Sequence, residues 1–202
     1  MSELKHTESG IYYLYDYIPV SYFEYHTEKE IKVTKKTWDY KDGKEPAVFD
    51  FTYELMAAIS EMSKNISDTK IALLAVPPSK VGKISTIGTS IQIISEWYKT
   101  KITSELFMCN KEIINCGCLL TRSSDISTAH LSRRPDYAEN KNAIEFNKSV
   151  LPEDGVSFFI LDDITTKGTS MDVCQDILVE HGVQKGKIYR LAIAKTILEI
   201  NR

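Results

Sequence analysis

No two cysteines are spaced Cys-x-x-Cys, although the 202 residues hold four: Cys109, Cys116, Cys118 and Cys174. That spacing argues against a zinc ribbon, and the four read as reduced thiols of a core. No apolar run approaches the roughly 18–20 residues of a membrane span. The opening MSELKHTESG is polar and has no apolar stretch of the signal-peptide kind. A cytoplasmic protein with no membrane association is therefore expected. Excess positive charge is missing too: 25 Lys and Arg stand against 28 Asp and Glu, a net −3. That balance gives no electrostatic footprint for non-specific nucleic-acid binding. There is no fixed-period repeat and no low-complexity tract.

What is present is ordinary for a globular chain, 43% apolar and 26% charged. The length suits one domain with a small appended lobe. The most informative stretch is Phe158 to Ser170, FFILDDITTKGTS. Four apolar residues without polar alternation fit a strand covered on both faces, as in a parallel sheet. Asp162 and Asp163 then stand at its carboxyl end, where open α/β sheets bind ligands. Thr165, Thr166, Lys167, Gly168, Thr169 and Ser170 follow and open a helical pattern at Met171. Small hydroxyl side chains, one glycine and the free N–H groups of a helix start make a phosphate cradle. Two acids beside such a cradle make sense if they bond sugar hydroxyls or act through a metal ion.

A second strand–loop–helix unit lies upstream. Lys70–Val76 is a continuous apolar strand, and Ser85–Lys99 has helical spacing through Ile87, Ile91, Ile94 and Tyr98. The loop between them carries Ser79, Lys80, Gly82 and Lys83. It reads either as a further anion site or as a surface loop with solvated lysines. Asp50–Ile66 reads as a core helix capped by Asp50. Cys116–Thr121 and Lys187–Ala194 read as further strands, and Ala143–Phe146 as a short one. Cys116 and Cys118 have the spacing that puts both on one face of a strand.

From Arg122 to Lys141 the periodicity stops. Twenty residues of mostly polar character without clear periodicity, inside a compact domain, suggest a binding loop or lid. His130, Arg133 and Arg134 stand in it, either as ligand contacts or as a solvated basic turn. The N-terminal residues 1–46 are expected to form a β-rich hood, with strands at Ile11–Val20 and Glu30–Trp38. The tyrosines that crowd there would stack on a planar ring or simply fill a half-buried sheet.

A hydrophobic strand, two adjacent acids and a Thr/Gly/Ser loop resemble the phosphoribosyl-pyrophosphate motif of type I phosphoribosyltransferases. The AVPPSK stretch at 75–80 looks most like the ComF-type branch, related to amidophosphoribosyltransferases. The likeness covers about residues 47–195. It implies an α/β core over 47–202, a parallel twisted sheet flanked by helices, with the hood at 1–46. It implies that Asp162 and Asp163 hold the ribose hydroxyls, that Thr166–Ser170 wrap the 5-phosphate, and that Ser79, Lys80 and Lys83 meet pyrophosphate. Arg122, His130, Arg133 and Arg134 would belong to the closing loop. Lys167 departs from the family, which usually has Thr before the Gly. The resemblance further implies magnesium, phosphoribosyl pyrophosphate or a nucleotide as ligand, and a second copy of the chain or another protein as partner. Transfer of phosphoribose to a nitrogen acceptor is the expected activity. Its alternative is a regulator that binds the same ligand without turnover. Phosphoryl chemistry on the acid pair is disfavoured by the Thr/Gly/Ser loop directly after it.

Overall fold

A computed structural model of the protein describes residues 4–83, 85–100, 111–126 and 137–197. The chain opens with β1 (Lys5–His6) and β2 (Ile11–Tyr17), followed by helices α1 (Glu28–Lys41) and α2 (Glu45–Ser63). Next come β3 (Lys70–Ala75), α3 (Thr86–Lys99), β4 (Glu112–Asn115) and β5 (Leu120–Arg122). The short α4 (Tyr137–Asn142) and β6 (Ile144–Phe146) precede β7 (Val156–Thr165), α5 (Thr169–Glu180) and β8 (Ile188–Thr196).

Six strands form one sheet in the order β1-β2-β8-β7-β3-β4, and β5 pairs with β6 in a separate hairpin. Only β1 runs antiparallel within the large sheet. The apolar runs of β3, β7 and β8 are its centre, and alternate side chains supply opposite faces. Leu73, Phe159, Leu161, Leu191 and Ile193 pack with α2 and α3. Ala72, Leu74, Phe158, Ile160 and Ala192 pack with Met171, Cys174 and Leu178 of α5. A large apolar side chain moved fully from water contributes about 1.5–3 kcal/mol, so two such faces hold the sheet. β4 lies on one side of β3, while β7 and β8 lie on the other. The winding direction therefore reverses between β3 and β7, which opens a crevice at their carboxyl ends.

The expected β-rich hood is corrected. Glu30–Trp38 is helical, inside α1. A capping box starts it: Thr27 Oγ1 accepts from Glu30 N at 3.4 Å, and Glu30 Oε2 accepts from Thr27 N at 2.8 Å. Its inner face is polar, with Thr34, Thr37 and Tyr40 fully buried. Each finds a partner: Thr34 Oγ1 accepts from Ile18 N at 2.9 Å, and Thr37 Oγ1 donates to Val33 O at 2.9 Å. Tyr40 is hydrogen-bonded to Ser90. The Tyr-rich segment is not a separate lobe either. β2 pairs in parallel with β8, Ile11 opposite Arg190 through Tyr17 opposite Thr196. Its tyrosines dock helices on the sheet: Tyr15 donates to Glu54 of α2, and Tyr17 Oη accepts from Trp38 Nε1 at 2.8 Å.

α2 begins at Glu45, with Pro46 in its first turn, and Asp50 is paired with Lys36 at 2.9 Å instead of capping. The strand expected at 116–121 is interrupted: Gly117 N donates to Asn115 Oδ1 at 2.9 Å in a turn. Cys116 is buried and Cys118 exposed, so they do not share a strand face. Cys109 lies outside the described residues. Among those described, no helix is long and apolar enough to cross a membrane.

Candidate functional site

β7 runs four residues past Leu161, because β8 continues beside it: Asp162 pairs with Ala192 and Ile164 with Ala194. β3 stops at Ala75, opposite Leu161. The two acids therefore project beyond the end of β3, into the crevice. Successive residues of a strand face opposite sides. Asp162 turns towards α5 and lines a cavity of about 250 Å³ with Asn140, Ile164 and residues 165–170. Asp163 turns the other way, and its Oδ2 lies 3.4 Å from Lys41 Nζ at the end of α1. One acid of the pair thus shares the cavity with the loop, and the other is met by a lysine.

The loop has the form its sequence suggested. Gly168 sits at φ 85°, ψ 1°, and caps α5 without any side-chain hydrogen bond. α1 and α3 differ, since Thr27 and Ser85 accept from their own helix starts. The first N–H groups of α5 keep their capacity for an outside acceptor. Thr166 Oγ1 and Thr196 Oγ1 are 3.1 Å apart, which holds the loop on β8. Arg190 donates to Asp172, in the first turn of α5, and to the Ser9 carbonyl. Lys167 is exposed at the rim.

Electrostatics divide the two acids. Burial, and then the neighbouring Asp163 charge, push the Asp162 carboxyl well above the ordinary carboxylate range. The Asp163 N–H that Asp162 accepts, at 2.9 Å, and the Lys41 charge act in the opposite sense. Tyr40 is raised chiefly by burial, with the charges of both acids adding to it. The Cys174 thiol is held up by burial and by the Asp162 charge, so it stays a neutral part of the floor.

Arg122 is placed differently from the expectation. It is 9% exposed and reaches inward. Its Nε donates to Pro78 O at 2.8 Å and its Nη2 to Pro77 O at 3.1 Å. Asn140 Oδ1 accepts from Nη1 and Nη2 at 3.2 and 3.3 Å, and Asn140 O from Nη1 at 3.4 Å. A guanidinium has five N–H groups, and these five bonds engage them all within the protein. Asn140 Nδ2 in turn donates to Ser170 Oγ at 3.1 Å. Arg122 and Asn140 therefore clamp the loop after β3 to the loop after β7.

Ser79, Lys80 and Lys83 lie on that first loop and outside the 250 Å³ cavity. Lys80 and Lys83 are exposed, and Ser79 is half-buried, its carbonyl accepting from Ile126 N at 3.0 Å. Val81 N donates to Asp125 Oδ1 at 2.7 Å. His130, Arg133 and Arg134 lie outside the described residues. Sequence reasoning missed Lys41, because Glu30–Trp38 was read as a strand and Asp39–Pro46 as a turn, where one helix runs to Lys41. The missed signal was the capping pattern Thr27-x-x-Glu30. Asn140, or Asn142, was expected as the last polar position of the closing loop; Asn140 is instead buried between Arg122 and Ser170.

The fold and site define an α/β protein with a helix start free of side-chain caps and an acid pair at the carboxyl edge of a mostly parallel sheet. No protein-family model matches the chain, and no curated protein matches it.

Proposed function

We propose that the protein binds phosphoribosyl pyrophosphate and transfers its phosphoribose to a nitrogen acceptor, a base or an amine. One observation carries this reading: Asp162 and the uncapped start of α5 share a single small cavity. The N–H groups and hydroxyls of residues 166–170 hold the 5-phosphate, and Lys167 adds a point charge. Asp162 and Asp163 accept from the ribose hydroxyls and balance the positive charge that grows at C1. The C1–O bond to pyrophosphate breaks, the C1–N bond forms, and the acceptor nitrogen loses its proton. Lys80 and Lys83, one loop away, neutralise the departing pyrophosphate.

The donor set suits magnesium carried in with substrate, since the acids offer hard oxygen ligands. Among the described residues no group of three or more His, Cys, Asp or Glu is assembled, so no closed protein cage competes with that arrangement. When bound, magnesium would supply neutralisation of the pyrophosphate charge, with Asp162 and Asp163 as the residues that would hold it.

A second reading is a regulator that binds the same ligand and does not turn it over. The engagement of Arg122 within the protein favours it, because one cation expected in the closing loop is used structurally. Calorimetry with phosphoribosyl pyrophosphate, paired with pyrophosphate-release assays over a panel of amines and bases, tests both. Binding with release supports the transferase, and binding without release across the panel supports the regulator. Absence of binding removes both.

A further inference from the structure

We propose that Lys41 is the resident counter-charge of the acid pair, so that the site takes a ribose monophosphate without a divalent cation. The inference rests on the ribose reading of Asp162 and Asp163 given above.

Lys41 Nζ is 3.4 Å from Asp163 Oδ2, and its charge also acts on Asp162. Among the described residues no other cation pairs with either acid. The backbone that delivers it is fixed. Tyr40, the preceding residue, is fully buried, edge-on to Phe51 at 5.5 Å between ring centres. Its hydroxyl lies 2.9 Å from Ser90 Oγ, to which Thr52 Oγ1 donates at 2.7 Å. Thr86 Oγ1 donates to the Lys41 carbonyl at 3.4 Å, which ties α1 to the start of α3. Asp42 N and Gly43 N close the helix on Trp38 O and Tyr40 O, both at 2.9 Å.

Two adjacent carboxylates at one strand end make a concentration of negative charge that a ligand with its own phosphate meets only if a positive charge stands beside them. A divalent cation is one source of that charge. A lysine on an anchored helix end is another, and it is present before any ligand arrives. The lysine is half exposed, at 47%, so its contact with Asp163 adds little to stability. What it adds is a charge at the place where ribose hydroxyls would be held.

The test is calorimetric titration of ribose 5-phosphate into the full chain, in magnesium and in EDTA. Wild type, Lys41→Met and Lys41→Arg are compared after thermal melts establish that each is folded; Lys41→Gln replaces the methionine variant if that one is not. Chelation is expected to change wild-type affinity by less than about threefold, and to weaken Lys41→Met by about tenfold or more, with Lys41→Arg like wild type. Wild type that binds only with magnesium overturns the proposal. So does a methionine variant that keeps wild-type affinity in EDTA. If none of the proteins binds in either condition, the ribose reading falls and takes this inference with it.

Discussion

Ile11 and Gly168 approach so closely that a β-carbon on Gly168 would stand 2.3 Å from Ile11 Cδ1. The contact joins the first long strand of the chain to the loop between β7 and α5, 157 residues later by number (168 − 11). At φ +85°, Gly168 also has a backbone conformation that other residues rarely adopt.

Gly168→Ala therefore meets two obstacles, a clash and a left-handed backbone. Together they are expected to cost about 2–4 kcal/mol and to weaken anion binding at the loop. Ile11→Val deletes the clashing methyl, so the double variant should recover the steric part and keep the backbone part. Thermal melts and phosphate titrations of the three variants read this. A Gly168→Ala protein as stable as wild type would remove the contact from the account.

Arg122 acts as a tie between loops. Arg122→Met leaves the carbonyls of Pro77 and Pro78 and the Asn140 side chain without their donor. A loss of about 3 kcal/mol, roughly 6–12 °C in melting temperature for a chain of this size, is expected. Arg122→Lys should not rescue it, because an ammonium cannot span the two loops as a planar fork does. A lysine variant that melts like wild type would contradict the clamp.

Asp162 should leave a mark on stability against pH. Burial and Asp163 raise its folded value above the unfolded one. The stability tied to the neutral carboxyl is fully present below about pH 4 and is lost as pH rises through the raised value. Asp162→Asn has no such loss, so its melting temperature should fall less than that of wild type on going from about pH 4 to pH 7. Parallel curves for the two proteins would count against a raised Asp162 carboxyl.

The opposite edge of the sheet supplies a control of opposite sign. Asp68 accepts from Lys187 Nζ at 2.9 Å and from Ser157 Oγ at 2.7 Å, and these bonds hold its carboxyl below the ordinary range. Its stabilisation is present above about pH 4 and is lost as pH falls through the lowered value. Asp68→Ala should cost about 1.5–3 kcal/mol. Ligand affinity should not change, since Asp68 adjoins the starts of β7 and β8 and not their ends. Urea denaturation and a ligand titration of the variant check both halves.

The elements legible in the sequence share one property, a pattern that a single packing rule explains. β3, β7 and β8 are unbroken apolar runs because both their faces are covered, and α3 shows its inward stripe through Ile87, Ile91 and Ile94. Apart from its capping pattern, α1 was hard to read because its inner face is Thr34, Thr37 and Tyr40, and Thr34 and Tyr40 are buried against partners far along the chain. Ile31, Val33 and Thr37 supplied a false alternation of period two. Within the site, the loop and the acids were visible because they are contiguous. Lys41, Arg122 and Asn140 act through contacts between 18 and 122 residues apart, such as Lys41 with Asp163 (163 − 41), and local reading has no access to those. The length of β7 was also hidden, because it is set by β8 running on beside it.

The central claim is that Asp162 and Asp163, with the loop after them, hold a ribose phosphate. Its most direct test is calorimetric titration of phosphoribosyl pyrophosphate, with magnesium, into wild type and into the double variant Asp162→Asn with Asp163→Asn. Wild type should bind, and the double variant should lose affinity by about a hundredfold while melting no lower than wild type. A wild-type protein that does not bind, or a double variant that binds as tightly as wild type, would contradict the claim.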